Sequence, residues 1–243
     1  MDPALLTRLP ALGALEGVPS ALAAARDGID AMLRDRGLRR TSPETTAESL
    51  LRGAHASAVL EGSSSTLEEV RAGKADDIAA ASVRLSSQLL AEVPVLTRSP
   101  LQALARLHTV VGAGAVPADL LGRPRDAETA ARLLELGPVV TADAPALLVA
   151  AVVHAELLAA APFASHNGIV ARAAERLVLV ARGLDEKSLI VPEAGHLALR
   201  PAYEARWRGW RDGGPAGQHA WLLHAAEAYA AGAEASPLRD SAS

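Results

Sequence analysis

The sequence contains no cysteine, which excludes a disulfide framework, a cysteine-based metal site and a cysteine nucleophile. Aromatic residues make up only 2% of the 243 residues, although half of all residues are hydrophobic. We therefore expect a sizeable core built from leucine, alanine and valine rather than from aromatic rings. Lysine is almost absent, since only Lys74 and Lys187 occur. The excess of arginine and alanine is typical of a GC-rich bacterial genome.

Long hydrophobic runs are also lacking. The longest one, residues 146–153, is too short to cross a bilayer, and the N-terminus has no basic region followed by an apolar run. The formal net charge of −4 gives no electrostatic basis for binding nucleic acid. We expect a cytoplasmic protein that binds neither membranes nor nucleic acids.

Alanine and leucine favour helices, and few segments alternate between apolar and polar residues, so the sequence predicts an all-α fold with little or no β structure. Serine followed by proline marks two helix starts, at Ser42 and Ser99. A capping box at residues 65–68 predicts a short helix to residue 70 or 71. Asp143 is the predicted N-cap of a central helix.

The ends of the chain differ from the middle in composition. Residues 1–14 are rich in leucine, alanine and proline, and we expect them to pack loosely. Residues 18–36 carry an apolar stripe and predict an amphipathic helix that Gly37 ends. Residues 201–212 and 216–231 predict two closing helices whose aromatic residues form a local core between them. We divide the chain into an N-terminal helical extension (1–40), a main domain (41–232) and a polar tail (233–243).

Residues 154–182 predict a helix, a tight polar loop and a second helix. Pro162 disfavours helix for the residue before it, and residues 165–168 have a turn composition. The second helix is predicted to start near Gly168, so its free N–H groups point into the loop and favour an anion. Phe163, the only phenylalanine, is expected to fix the loop to the core.

This loop resembles the signature motif of the Fic (Fido-domain) family, His-Pro-Phe-x-Asp/Glu-Gly-Asn-Gly/Lys-Arg-x-x-Arg. The matching residues in the loop 161–172 are Pro162, Phe163, Asn167, Gly168 and Arg172. Four positions depart from the motif. Ala161 stands at the catalytic histidine, Ser165 replaces the acid, His166 replaces the first glycine, and Ile169 replaces the first arginine.

A second segment is similar to the inhibitory helix that some Fic proteins carry before the core, with the motif Ser/Thr-x-x-x-Glu-Gly/Asn. Ser57, Glu61 and Gly62 match it within the predicted helix 43–62. In the family, the inhibitory glutamate pairs with the second arginine of the signature loop and blocks the γ-phosphate of ATP. The resemblance therefore implies a pair between Glu61 and Arg172.

The resemblance implies a nucleotide, ATP above all, as the ligand, with Asn167, Gly168 and Arg172 at its phosphates. In the family reaction the histidine deprotonates a target hydroxyl, which attacks the α-phosphate; Ala161 has no titratable group. Ser165 removes a metal ligand, so an anchor for Mg²⁺ is not expected. The family also holds a target segment on a β-hairpin flap, but the prolines of residues 112–126 are incompatible with a full hairpin.

Histidines are the other candidates for chemistry. His166 lies in the loop and could serve as a displaced base or simply face solvent, whereas His154 precedes the loop by two helical turns and is more typical of helix packing. No His-Glu-x-x-His motif occurs, and His219 and His224 are five positions apart, so they do not lie on the same face of a helix. No metal site is therefore predicted. The motifs of serine hydrolases and of dinucleotide-binding enzymes are missing as well.

Three functional hypotheses follow. The first is a degenerate Fic protein, a pseudoenzyme that binds a nucleotide, a phosphorylated ligand or a protein partner at residues 162–172. The second is an active transferase of a phosphate-containing group that uses His166 or His154 as base. The third is a structural or interaction protein whose cleft is filled by Glu61 and Arg172.

Overall fold

The structure is a computed structural model that describes residues 4–36 and 42–242, and helices account for nearly all of its regular structure. The helices are α1 (Leu5–Gly13), α2 (Val18–Arg36), α3 (Pro43–Leu60), α4 (Leu67–Arg71), α5 (Asp77–Gln88), α6 (Val93–Arg98), α7 (Pro100–Gly112), α8 (Ala127–Val140), α9 (Ala146–Ala160), α10 (Asn167–Ala181), α11 (Pro192–Ala198), α12 (Arg200–Asp212) and α13 (Gly214–Glu234). Short 3-10 helices span Leu89–Glu92, Ala118–Leu120 and Pro237–Ala242. Residues 4–36 and 42–242 contain no β-strand, which confirms the predicted all-α fold.

Helices α9 and α10 form the centre of the molecule. Twelve of the fifteen residues of α9 are buried, on every face of the helix, because its sequence is apolar all round. Helix α10 packs along α9, and helices α3, α6, α7, α8, α12 and α13 surround the pair. Residues 161–166 form the loop that connects α9 to α10, so the packing of these two helices fixes both ends of the loop.

The predicted helix starts are confirmed at Ser42 and Ser99, which precede α3 and α7. Two predicted caps are wrong. Pro145, not Asp143, is the N-cap of α9, because a proline at this position can lead into a helix without needing an N–H partner. Thr66, not Ser65, caps α4, with the Thr66 hydroxyl accepting a hydrogen bond from the Glu69 amide at 3.2 Å.

The expectation of loose packing for residues 1–14 is wrong. Helix α1 buries Leu5, Leu9 and Leu12, which follow the helical spacing on one face and join the main core. Helix α2 has the predicted bounds at its start, and its predicted end at Gly37 lies outside the described residues. None of the helices in the described ranges is long and apolar enough to traverse a bilayer.

Residues 112–126 form an irregular segment with a single bridge between Ala113 and Val116. At the other end, part of the predicted polar tail packs against α3. Leu238 is buried, and Arg52 of α3 binds the carbonyl of Ala235 at 3.3 Å and the carboxylate of Asp240. The division of the chain into three parts stays a prediction.

Candidate functional site

The loop between α9 and α10 has an unusual backbone at both ends. Ala161 ends α9 with φ 41° and ψ 58°, and His166 begins α10 with φ 53° and ψ 24°. Both residues are in the left-handed region that L side chains avoid. The loop therefore turns sharply twice, and its conformation must be held by contacts with its surroundings.

Asn167 supplies part of that hold. Its side-chain oxygen accepts a hydrogen bond from the Phe163 amide at 2.8 Å, and its side-chain nitrogen donates one to the Phe163 carbonyl, also at 2.8 Å. The sequence predicted a phosphate contact for this side chain, whereas the structure uses both of its polar atoms to close the loop. Asn167 thus shapes the site from within.

Phe163 packs the loop against the core, and Pro162 connects it to the segment before α8. The Phe163 ring is buried and stacks on the His108 ring, with centroids 4.5 Å apart and planes 6° apart. The Arg125 amide donates a hydrogen bond to the Pro162 carbonyl at 2.8 Å. Burial lowers the pKa of His108 to about 4, so this ring is neutral near pH 7 and its Nδ1 accepts a hydrogen bond from the Gly122 amide at 2.9 Å.

Arg172 is the cation of the site, and it is almost completely buried. Its Nε donates to the Ser57 hydroxyl at 2.8 Å, and its Nη2 donates to the Ser57 carbonyl at 2.9 Å. The Nη1 group donates to the Tyr203 hydroxyl at 3.0 Å. A guanidinium with this many fixed partners has a single position, which suits it to recognise one anion in one place.

Glu61 provides that anion. Its carboxylate lies 3.0 Å from Arg172 Nη2, and its side chain is 27% exposed. The same carboxylate packs over the start of α10, because a Cβ added at Gly168 would overlap Glu61 Oε2. The structure therefore brings together Ser57, Glu61, Gly168 and Arg172, which are up to 115 residues apart in the sequence.

Gly62 follows Glu61 with φ +106°, a conformation that glycine adopts readily and that other residues rarely do. Helix α3 consequently ends at Leu60, with Glu61 as its C-cap residue. The end of α3 faces the start of α10, where unpaired amides and the helix dipole favour a negative charge.

The structure also places the four residues at which the sequence differs from the Fic motif. Ile169, at the first arginine position, is 2% exposed and belongs to the apolar core. Ser165, at the acid position, has its hydroxyl 2.6 Å from His166 Nδ1. Burial lowers the pKa of His166, while the negative charge of Glu61 acts in the opposite direction. Ala161, at the histidine position, presents only a methyl group.

His154 lies away from the loop and is completely buried. Its Nε2 is 3.0 Å from the Tyr203 hydroxyl, and its Nδ1 is 3.0 Å from Glu175 Oε2. Burial lowers the pKa of His154 to about 4. Because no target hydroxyl can reach this ring, the structure removes His154 from the candidate bases.

Sequence reasoning missed Glu175, His196 and Tyr203, which surround His154. The closing helices were expected to form a local aromatic core, and the rings of Tyr203 and Trp221 do lie 6.0 Å apart between α12 and α13. Their aromatic residues also make hydrogen bonds to the central helices. The Trp221 indole donates to the Ala151 carbonyl at 2.9 Å, and the Tyr229 hydroxyl donates to Glu175 Oε1 at 2.9 Å. The hydroxyl and indole N–H groups of these rings could have indicated such contacts in the sequence, since a buried tyrosine or tryptophan usually finds a hydrogen-bond partner.

A cavity of about 980 Å³ lies elsewhere, between α1, α2 and residues 138–148. It is lined mainly by apolar side chains, and no residue of the loop 161–172 lines it. The charged groups described above do not face this cavity, so we place the candidate site at the α3–α10 cleft.

The fold is similar to that of solved Fic proteins. A Fic family protein from Desulfovibrio desulfuricans matches all of this chain and 77% of its own length, with a TM-score of 0.76 and 17% identity. Fic-1 from C. elegans matches 93% of this chain and 73% of the Fic-1 fragment, with a TM-score of 0.68 and 17% identity. A variant of the same fragment matches with a TM-score of 0.61.

No protein-family model matches the sequence, and no curated protein matches it either. The likeness thus lies in the backbone, and at 17% identity it concerns the fold. The arrangement of thirteen described helices around a buried α9–loop–α10 unit is that of the Fic fold.

Proposed function

We propose that the chain binds the phosphates of a nucleotide at the start of α10, that Glu61 occupies this position in the ligand-free protein, and that the site does not catalyse histidine-dependent AMP transfer. One observation carries the proposal: a carboxylate that is tethered to the end of α3 contacts both Arg172 and the glycine at the start of α10. A phosphate group would use the same partners. Glu61 therefore acts as an internal substitute for the ligand.

The chemistry of the site supports binding of an anion. Arg172 offers charge-assisted hydrogen bonds from a fixed guanidinium, and the N-terminus of a helix such as α10 favours an anion. Gly168 allows an anion to approach the backbone closely, since any larger residue would fill the space that Glu61 Oε2 now occupies. Closure of the loop by Asn167 keeps these groups in position.

The same site lacks the groups that AMP transfer by the family reaction needs. Ala161 cannot deprotonate a hydroxyl, and general-base help contributes roughly 10²–10⁴-fold to a rate. Ile169 is in the core, so it provides no second cation for the phosphates. Ser165 is paired with His166 and is a poor substitute for a carboxylate that holds Mg²⁺.

Calorimetric titration with ATP and Mg²⁺ tests the proposal. Glu61→Ala removes the competing carboxylate from a charge-assisted pair, so we expect ATP affinity to rise by about 10–100-fold, the equivalent of 1.5–3 kcal/mol. Glu68→Ala is the matched control, because Glu68 is a neighbouring carboxylate whose side chain is 80% exposed. The control should bind ATP as the wild type does.

Equal affinities in the wild type and in Glu61→Ala would refute the inhibitory role of Glu61. If neither protein binds ATP, the nucleotide proposal fails, and the remaining hypothesis of a structural or protein-interaction role gains support.

A second candidate function is transfer of a phosphate-containing group with His166 as base. The observation in its favour is the lowered pKa of His166, which leaves the ring neutral and able to accept a proton near pH 7. Mass spectrometry of Glu61→Ala after incubation with ATP and Mg²⁺ would detect a covalent adduct on the chain itself. An adduct that disappears in Glu61→Ala/His166→Ala supports this function, and an adduct that persists in the double variant contradicts it.

A further inference from the structure

Three buried side chains from three different helices meet behind the candidate site. His154 of α9, Glu175 of α10 and His196 of α11 have no exposed surface. One oxygen of Glu175, Oε2, lies 3.0 Å from His154 Nδ1 and 3.1 Å from His196 Nε2. The three atoms lie within 4.8 Å of one another.

We propose that His154 Nδ1, Glu175 Oε2 and His196 Nε2 bind a structural Zn²⁺ ion that links α9, α10 and α11. Two imidazoles and one carboxylate are a ligand set that zinc uses in proteins, together with a fourth ligand such as water. Around an ion with bonds of about 2.0–2.1 Å in tetrahedral geometry, neighbouring ligand atoms are about 3.3 Å apart. The two distances to Glu175 Oε2 are close to this value.

Hydrogen bonding does not fully account for the cluster. His154 Nδ1 is completely buried and close to Glu175, yet it has no hydrogen-bond partner with acceptable geometry. A buried nitrogen that is left unpaired costs about 1–3 kcal/mol. Coordination of a cation would give this nitrogen a partner.

The groups around the three ligands are those that a metal site needs. The other nitrogen of His154, Nε2, is 3.0 Å from the Tyr203 hydroxyl, and the other nitrogen of His196, Nδ1, is 3.3 Å from His224 Nε2. The second oxygen of Glu175 accepts a hydrogen bond from Tyr229 at 2.9 Å. Such outer contacts fix the tautomer and orientation of metal-binding side chains.

Charge supports the same conclusion. Glu175 is an acidic residue in the centre of the core, and a buried carboxylate needs compensation. The two nearby arginines of α10 are paired elsewhere, Arg172 with Glu61 at 3.0 Å and Arg176 with Glu193 at 2.6 Å. A divalent cation between the three ligands would supply positive charge that neither arginine gives to Glu175.

Because the ligands have no exposed surface, the ion would enter as the chain folds and would stabilise the fold rather than take part in a reaction. This inference runs against the sequence expectation of no metal site, which considered spacing within single helices. The three ligands are not residues of the proposed nucleotide site, although the Tyr203 hydroxyl contacts both His154 and Arg172. Zinc content and ATP affinity are separate measurements, so either proposal can fail without the other.

The test is the metal content of the full chain, unfolded and refolded with either Zn²⁺ or EDTA, then passed over a gel-filtration column in EDTA. Inductively coupled plasma mass spectrometry should find about one zinc per chain after refolding with Zn²⁺. Glu175→Gln and His196→Gln should lower the zinc content at least tenfold. His55→Gln, which removes a histidine outside the cluster, should keep it.

A wild-type protein that holds no zinc after refolding with Zn²⁺ would overturn the proposal, and so would a Glu175→Gln protein with wild-type zinc content. Should the variants fail to fold, refolding of the wild type with Co²⁺ decides the question. Visible absorption bands of buried, nitrogen-coordinated cobalt support the site, and their absence contradicts it.

Discussion

Replacing Asn167 by alanine removes the two hydrogen bonds that close the loop between α9 and α10. Each such bond contributes about 0.5–1.5 kcal/mol net, and the substitution leaves the amide and the carbonyl of buried Phe163 without these partners. We expect the free energy of unfolding to fall by about 2 kcal/mol. For a chain of this length, the midpoint of thermal unfolding should fall by about 4–8 °C.

Urea unfolding followed by tryptophan fluorescence measures this loss, since the three tryptophans lie in α12 and α13 and report global unfolding. Asn167→Asp is the matched comparison: it keeps an acceptor for the Phe163 amide but places a second acceptor against the Phe163 carbonyl, so it should not restore wild-type stability. The reasoning is refuted if Asn167→Ala unfolds like the wild type but weakens ATP binding in the Glu61→Ala background. That result would place the amide on the ligand, as the sequence alone suggested.

Two further perturbations test the packing and the titration of the core. Gly195→Ala should destabilise the fold by about 3 kcal/mol, because a Cβ there would overlap the backbone of Ala228 where α11 crosses α13. The control is Gly28→Ala, which has open space around the added Cβ. It should be neutral or stabilise α2 by up to about 1 kcal/mol in the same urea assay. His108 has a pKa of about 4 in the folded protein, below its ordinary 6.5. As the pH falls, this histidine is therefore protonated in the unfolded chain before it is protonated in the folded one. Its contribution to stability is complete above pH 6.5 and is lost as the pH falls to 4. Between pH 6.5 and pH 4, the free energy of unfolding of His108→Phe should fall by about 3 kcal/mol less than that of the wild type. If the two proteins lose stability in parallel over this range, the low pKa of His108 in the folded state is contradicted.

The long-range pair at the candidate site could be predicted from the sequence. Glu61 and Arg172 are 111 residues apart, and each lies in a short segment that resembles a Fic motif; the resemblance, rather than the spacing within either segment, implied the contact. Ser–Pro pairs likewise predicted where α3 and α7 begin, because a helix N-terminus has local requirements that a few residues satisfy.

Contacts that depend on several helices could not be predicted in this way. His154, Glu175 and His196 have no common spacing, since each lies on a different helix and only the packing of those helices brings them together. The role of Asn167 could not be predicted either, because a residue that matches a phosphate-binding motif can equally well form hydrogen bonds within its own loop. Helix α11 was not predicted, although its first residue is Pro192 and proline is common at that position.

The positive φ angles of Ala161 and His166 have a consequence for the kinetics of recognition. Each costs the folded state about 1–3 kcal/mol, which the surrounding core offsets during folding. Because the loop already has this conformation in the folded protein, it need not rearrange when a ligand binds. Association should then be limited by the departure of Glu61 from its position and by diffusion, while the loop itself behaves as a rigid preorganised surface.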